Sequence, residues 1–125
     1  MNTKDYKIFN VTPHKLNIIK GDGNKINIEP CGLILRVKED LKPLDDKNNL
    51  VLAEIKLEGL ELDGDESKLI DIKREKKAIV VVPRLLIAYK KYLKKIFGDK
   101  LFCTPGDLVR DKDGNIIGAK GLYKF

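Results

Sequence analysis

The sequence predicts an α+β domain built mainly of short antiparallel strands, a meander and a C-terminal hairpin, with one principal amphipathic helix at about 83–97. Short apolar runs recur through the chain between Gly, Pro, Asn and Asp clusters, the punctuation expected of many short strands. A single stretch, 85–97, instead carries its apolar residues at three- and four-residue spacings. Near the end, Asp113-Gly114 stands between two apolar runs, a strong local signal for a hairpin. At 125 residues the chain is long enough for one core, so 1–125 is read as a single domain.

Taken in order, Tyr6 to Val11 is a strand candidate that Thr12-Pro13-His14 stops, because proline cannot donate to a ladder. Leu16 to Lys20 follows, then the Gly21–Asn24 turn, then Lys25 to Glu29 with half-buried alternation. Glu29–Gly32 turns again and Leu33 to Val37 runs back, which makes the first forty residues a meander. Lys38 to Asn49 is charged and contains Pro43, so a surface loop is expected; Leu50 to Glu58 alternates as a strand, with Val51, Ala53, Ile55 and Leu57 on one face. Gly59 to Ser67 holds a turn at Asp63-Gly64-Asp65, and Lys68 to Lys77 is expected to be a strand and a solvated loop. Ala78 to Val82 is unbroken and mostly β-branched, the mark of a buried strand.

The helix comes next. Pro83 suits its first turn, Leu85, Leu86, Tyr89, Tyr92, Leu93, Ile96 and Phe97 form its apolar stripe, and Gly98 ends it. Lys90, Lys91, Lys94 and Lys95 occupy the other side. Pro105 to Leu122 is the hairpin: Leu108 and Val109 lead in, Asp111–Asn115 turns, and Ile116-Ile117 starts the return.

Composition narrows the function classes. No apolar run follows Met1 and the longest apolar stretch is far too short for a span, so the expectation is a cytosolic protein without a signal peptide. Cys31 and Cys103 are the only cysteines and form no CxxC, which suggests two free, partly buried thiols. One histidine, one serine and no zinc or phosphate-loop spacing leave no acid, base or nucleophile to name, so catalytic residues, metal and cofactor are all expected to be none. Asp111, Asp113 and Asn115 resemble a calcium loop, but the glycine comes too early and no glutamate closes it, so a plain turn is expected.

The net charge of +6 comes almost wholly from lysine, twenty-one of them against four arginines. Where lysine is the default cation, Arg36, Arg74, Arg84 and Arg110 mark places where a planar, bidentate fork is wanted. Arg110 beside Asp111 is the sharpest candidate: arginine donates to phosphates and an aspartate accepts from ribose hydroxyls, against the plainer alternative of a structural ion pair. Arg36 ends an apolar strand and is weighed the same way. Arg84 and Tyr89, at the head of the helix, offer a cation and a stacking ring, with a core role the alternative for the tyrosine. The four helix lysines are read as a solvated face that can also track phosphates.

Four pieces, in order, resemble a family of small phage and prophage proteins. They are Asn10-Val11-Thr12-Pro13-His14; Pro30-Cys31-Gly32 followed by Leu35-Arg36-Val37; Ile79–Val82 leading into the helix; and Pro105-Gly106 through Val109-Arg110-Asp111, Gly114 and Ile116-Ile117-Gly118. The family is similar to the one containing the Thoeris anti-defence sponges, which sequester a cyclic ADP-ribose signal made by a bacterial TIR-domain enzyme. The resemblance implies a cyclic-nucleotide binder without catalysis, acting as a homo-oligomer in the host cytoplasm, with Arg36 and Arg110 on the ligand's phosphates. The chain departs from the pattern at Cys31, where serine is usual, and at Pro83-Arg84, where a serine tends to precede the helix; both bear on ligand choice. Two other classes remain open: a basic nucleic-acid-binding accessory protein, resting on the lysines, and a host-takeover factor that binds another protein.

Overall fold

The fold is organised around Ala78–Val81, a four-residue strand buried on both faces. A continuous aliphatic run is what a strand covered on both faces requires. The structure is a computed structural model that describes residues 5–45 and 52–125, with side chains described outside 38–58. In chain order the elements are β1 (Lys7–Asn10), β2 (Leu16–Ile19), β3 (Lys25–Ile28), β4 (Leu33–Asp45), β5 (Leu52–Gly64), α1 (Ser67–Arg74), β6 (Ala78–Val81), a 3-10 segment (Arg84–Tyr89) running into α2 (Lys90–Phe97), β7 (Leu101–Arg110) and β8 (Ile116–Lys124). The class is α+β, as the pattern predicts.

Six strands form one sheet in the order β1-β6-β7-β8-β2-β3, and β4 pairs only with β5 in a separate ribbon. β6 lies parallel to both β1 and β7, and β7 returns antiparallel into β8. β8 then pairs parallel with β2 and β2 antiparallel with β3. A parallel bridge between Asn10 and Pro30, with the Cys31 N–H donating to the Asn10 carbonyl at 2.9 Å, brings the end of β3 back to β1. The sheet therefore curls until its two edges touch, as in a half-closed barrel.

Alternation along the strands divides two cores. Ile79, Val81 and Cys103 pack inside the curl with Leu16, Leu101 and Leu122. Phe9, Val11, Ala78, Val80, Val82 and Phe102 face outward, under Leu33 and Leu35 of β4, Ile72 of α1, Leu86, and Leu93 and Phe97 of α2.

The predicted meander is corrected: of the first strands, only β2 and β3 pair as a hairpin. Thr12-Pro13-His14 is not a hairpin turn but a crossing segment that carries the chain from β1 to the far side of the sheet, where β2 pairs with β8. Lys38–Asp45, expected to be loop, continues β4 against β5; residues 46–49 lie outside the described residues, as do Leu50 and Val51 and the side chains of Ala53, Ile55 and Leu57. A ribbon paired only to itself needs no sheet-like apolar period, so polar sequence misled. Gly59, taken as the start of a turn segment, sits within β5 at a register shift opposite Lys38, with φ +112°.

Lys68–Lys77, expected to be a strand and loop, is mostly helix α1. Asp65 Oδ1 accepts from both the Ser67 N–H at 3.0 Å and the Ser67 hydroxyl at 2.7 Å ahead of the first turn, and those bonds hold the Asp65 carboxyl below its ordinary range. Leu69 and Ile72, three apart, make the inward side. The helix at 83–97 is present, but its stripe is rotated. The leading Arg84–Tyr89 turns are 3-10, which stack residues three apart, so Leu86 and Tyr89 face the core while Leu85 is 69% exposed. Tyr92 is likewise 49% exposed, and Gly98 ends α2 by donating to the Lys94 carbonyl.

Candidate functional site

β1 and β6 run parallel to each other and to the first part of β7, and the carboxyl ends of β1 and β6 lie with mid-β7 Thr104-Pro105 beside the Thr12–His14 crossing. That end of parallel strands is where open sheets tend to form ligand crevices. The crossing is built by a buried polar knot. Asn10, 1% exposed, donates from Nδ2 to the carbonyls of His14 at 2.8 Å and Ile28 at 3.3 Å. Its Oδ1 accepts from the Thr12 N–H at 3.0 Å and the Thr12 hydroxyl at 2.6 Å. Both ends of the amide are satisfied, so the segment is fixed rather than draped.

Two hollows share Pro13 and Pro83 as a common wall. The first, about 450 Å³, is lined among others by Thr12, His14, Arg84, Thr104 and Pro105; the second, about 320 Å³, by Leu35, Arg36, Val37 and Leu86. Both volumes fall within the range of small-molecule sites. Each hollow carries one arginine on a largely apolar surface, and the prolines fix the backbone between them. Thr104 adds a further polar group: the residue is 4% exposed, and its hydroxyl is buried with no partner among the described residues. A buried hydroxyl left without a partner is unusual enough to require a cause.

The five candidate binding residues separate into three places. Arg36 and Arg84 line neighbouring hollows. Tyr89 packs half-buried against the outer core, its ring 6.0 Å from that of Tyr92, and lines neither hollow. Arg110 and Asp111 sit at the tip of the β7–β8 hairpin. There Arg110 Nη1 donates to the Gly114 carbonyl at 2.9 Å, and Asp111 Oδ1 accepts from the N–H groups of Asp113 and Asn115, both at 2.9 Å. These bonds close the turn, and neither residue lines the two hollows.

The hairpin glycines have local structural work too. A Cβ on Gly106 would come 2.3 Å from the Tyr123 ring, and one on Gly118 would come 2.7 Å from the Asn17 carbonyl, where β2 joins β8. Tyr123 donates its hydroxyl to Asp107, whose backbone sits at φ +52°, a position aspartate tolerates better than most residues. That bond pushes the Tyr123 phenol above its ordinary value. Burial pushes the Cys103 thiol up, which keeps it neutral inside the curl.

Pro13, His14, Thr104 and Pro105 were not singled out as ligand-facing by sequence. The available signal was the pair of Thr-Pro dipeptides, Thr12-Pro13 beyond β1 and Thr104-Pro105 within β7, with Pro83 beyond β6. Among the described residues no cluster of three or more His, Cys, Asp or Glu is arranged to hold a metal, and no helix is long and apolar enough to cross a membrane. No protein-family model, curated protein or solved structure matches the chain.

Proposed function

We propose that this protein binds and sequesters a cyclic nucleotide signal of the cyclic ADP-ribose type without cleaving it, as a homo-oligomer in a bacterial cytoplasm, the role its resemblance to the phage anti-defence family implies. The observation that supports it most is the pair of proline-walled hollows holding Arg36 and Arg84 side by side. Such a ligand presents a pyrophosphate, ribose hydroxyls and a purine. Two guanidinium forks answer the phosphates, and the apolar proline surface takes the base. A sequestering protein needs slow release and no nucleophile, which suits this chain's sparse inventory of reactive side chains. Arg36 and Arg84 carry the ligand here, while Arg110 and Asp111 act at a distance by keeping the hairpin in shape.

The test is a thermal-shift screen against cyclic ADP-ribose isomers, linear ADP-ribose and cyclic dinucleotides, with the ligand re-isolated after denaturation. A ligand at about a hundred times its dissociation constant adds about 2.7 kcal/mol, which a melting curve resolves. One strong shift with the ligand returned unaltered supports sequestration. A flat screen removes the proposal, and a hydrolysed ligand replaces it with an enzyme.

A further inference from the structure

The opposite, amino-terminal end of the same parallel strands carries a third hollow, of about 310 Å³. Five lysines line it: Lys76 ahead of β6, Lys90 and Lys94 of α2, Lys100 ahead of β7 and Lys124 of β8. Asp99 is the single carboxylate side chain in its lining. Lys100 is already committed, because its Nζ donates to the Lys73 and Glu75 carbonyls where α1 ends. The other four make no ion pair within 4.0 Å among the described residues. Like charges gathered from three separate segments repel one another, and Asp99 alone among the lining side chains offsets them.

The structure also divides the helix lysines. Lys90 and Lys94, four apart on one side of α2, face this hollow; Lys91 and Lys95 do not line it, and Lys95 instead lies 6.0 Å from the Tyr92 ring centre. A nucleic-acid strand is usually tracked by a stripe of charge along a surface. Here the charges converge on one concavity, which suits a compact anion.

We infer that this basin is a second anion site, separate from the arginine groove, for a compact oligophosphate group. Flexible ammonium groups act as point charges and adapt to a phosphate chain without demanding one geometry. The site does not depend on the nucleotide assignment of the opposite end.

The experiment titrates inorganic tripolyphosphate into the full-length protein by calorimetry at low salt, beside K90E/K94E, K91E/K95E and, in case the first variant does not fold, K124Q. The two double variants change the net charge equally. The expected result is binding by the wild type, a loss of about tenfold or more in K90E/K94E, a clear loss in K124Q, and less than about twofold change in K91E/K95E. A nucleoside triphosphate competing as well as tripolyphosphate assigns the site to free phosphorylated metabolites. No binding, equal losses in both double variants, or a single-stranded oligonucleotide that outcompetes tripolyphosphate in proportion to its length would each overturn the inference. Arg36→Ala and Arg84→Ala should leave this binding unchanged, so failure here and failure of the groove are distinguishable.

Discussion

The two ends of the β1-β6-β7 trio are built on different principles. Beyond the carboxyl ends of β1 and β6, Arg36 and Arg84 line two hollows that share Pro13 and Pro83, near a buried asparagine whose side-chain amide is bonded at both ends. At the amino end five lysines, two of them on α2, surround a polar hollow. The first arrangement is preorganised and suits a ligand of fixed shape; the second is soft and suits charge alone. Shape would therefore select at one end and charge at the other. With so many lysines, net charge says little about the arginine end.

The comparison breaks most severely at Asn10. Asn10→Ala removes a buried amide that satisfies four neighbouring groups, and should destabilise the protein by about 3 kcal/mol, read from guanidinium unfolding. A loss below about 1 kcal/mol would show that the crossing holds itself and that the groove is not preorganised by this knot. Replacing Arg110 with Ala removes one exposed bond to Gly114 and should cost well under that amount.

Thr104→Val sharpens the contrast. Exchanging an unpartnered buried hydroxyl for a methyl should leave the free protein equally stable or raise its stability by about 1 kcal/mol in the same unfolding experiment. A destabilised variant would instead mean that the hydroxyl is satisfied in the free protein.

The smallest effect is at the hairpin base. Tyr123 has a folded pKa raised by its bond to Asp107, so the protonated phenol is favoured in the folded protein. That contribution is fully present below the unfolded value near 10 and is lost as pH rises through the higher folded value. Tyr123→Phe should flatten this alkaline loss and change stability little at neutral pH, measured by thermal melts across pH.

Much of the strand content was legible, because buried strands must be apolar and Ala78–Val81 is apolar throughout. The hairpin turn was legible for a similar reason: Asp111 and Gly114 are demanded by its bonds. Pairing was not legible. Lys7–Asn10 joins Ala78–Val81 rather than its neighbour in sequence, and the Asn10 amide ties the end of that strand to His14 and Ile28, contacts that no periodicity reports. Helix α1 was missed because Leu69-Ile70-Asp71-Ile72 alternates by chance, although Asp65 ahead of it, Ser67 at its start and Lys73-Arg74 at its end were the terminal signals.

For the site, sequence found two arginines that line the groove and could not tell them from a third that closes a turn. Arg110 sits in the most recognisable motif, yet that motif's aspartate and glycines serve the hairpin's own geometry. The groove is assembled from three separate segments, Thr12–His14, Pro83-Arg84 and Thr104-Pro105, the first of them far from the other two in sequence, and no local pattern reports such a meeting.

The most direct test of the groove is calorimetric titration of the cyclic nucleotide selected by the screen into wild type, R36A, R84A and R110A. The account predicts tight binding by wild type, a loss of at least about a hundredfold in R36A and in R84A, and near-wild-type affinity in R110A. Full affinity in R36A and R84A with loss in R110A would contradict it and return the ligand to the hairpin tip.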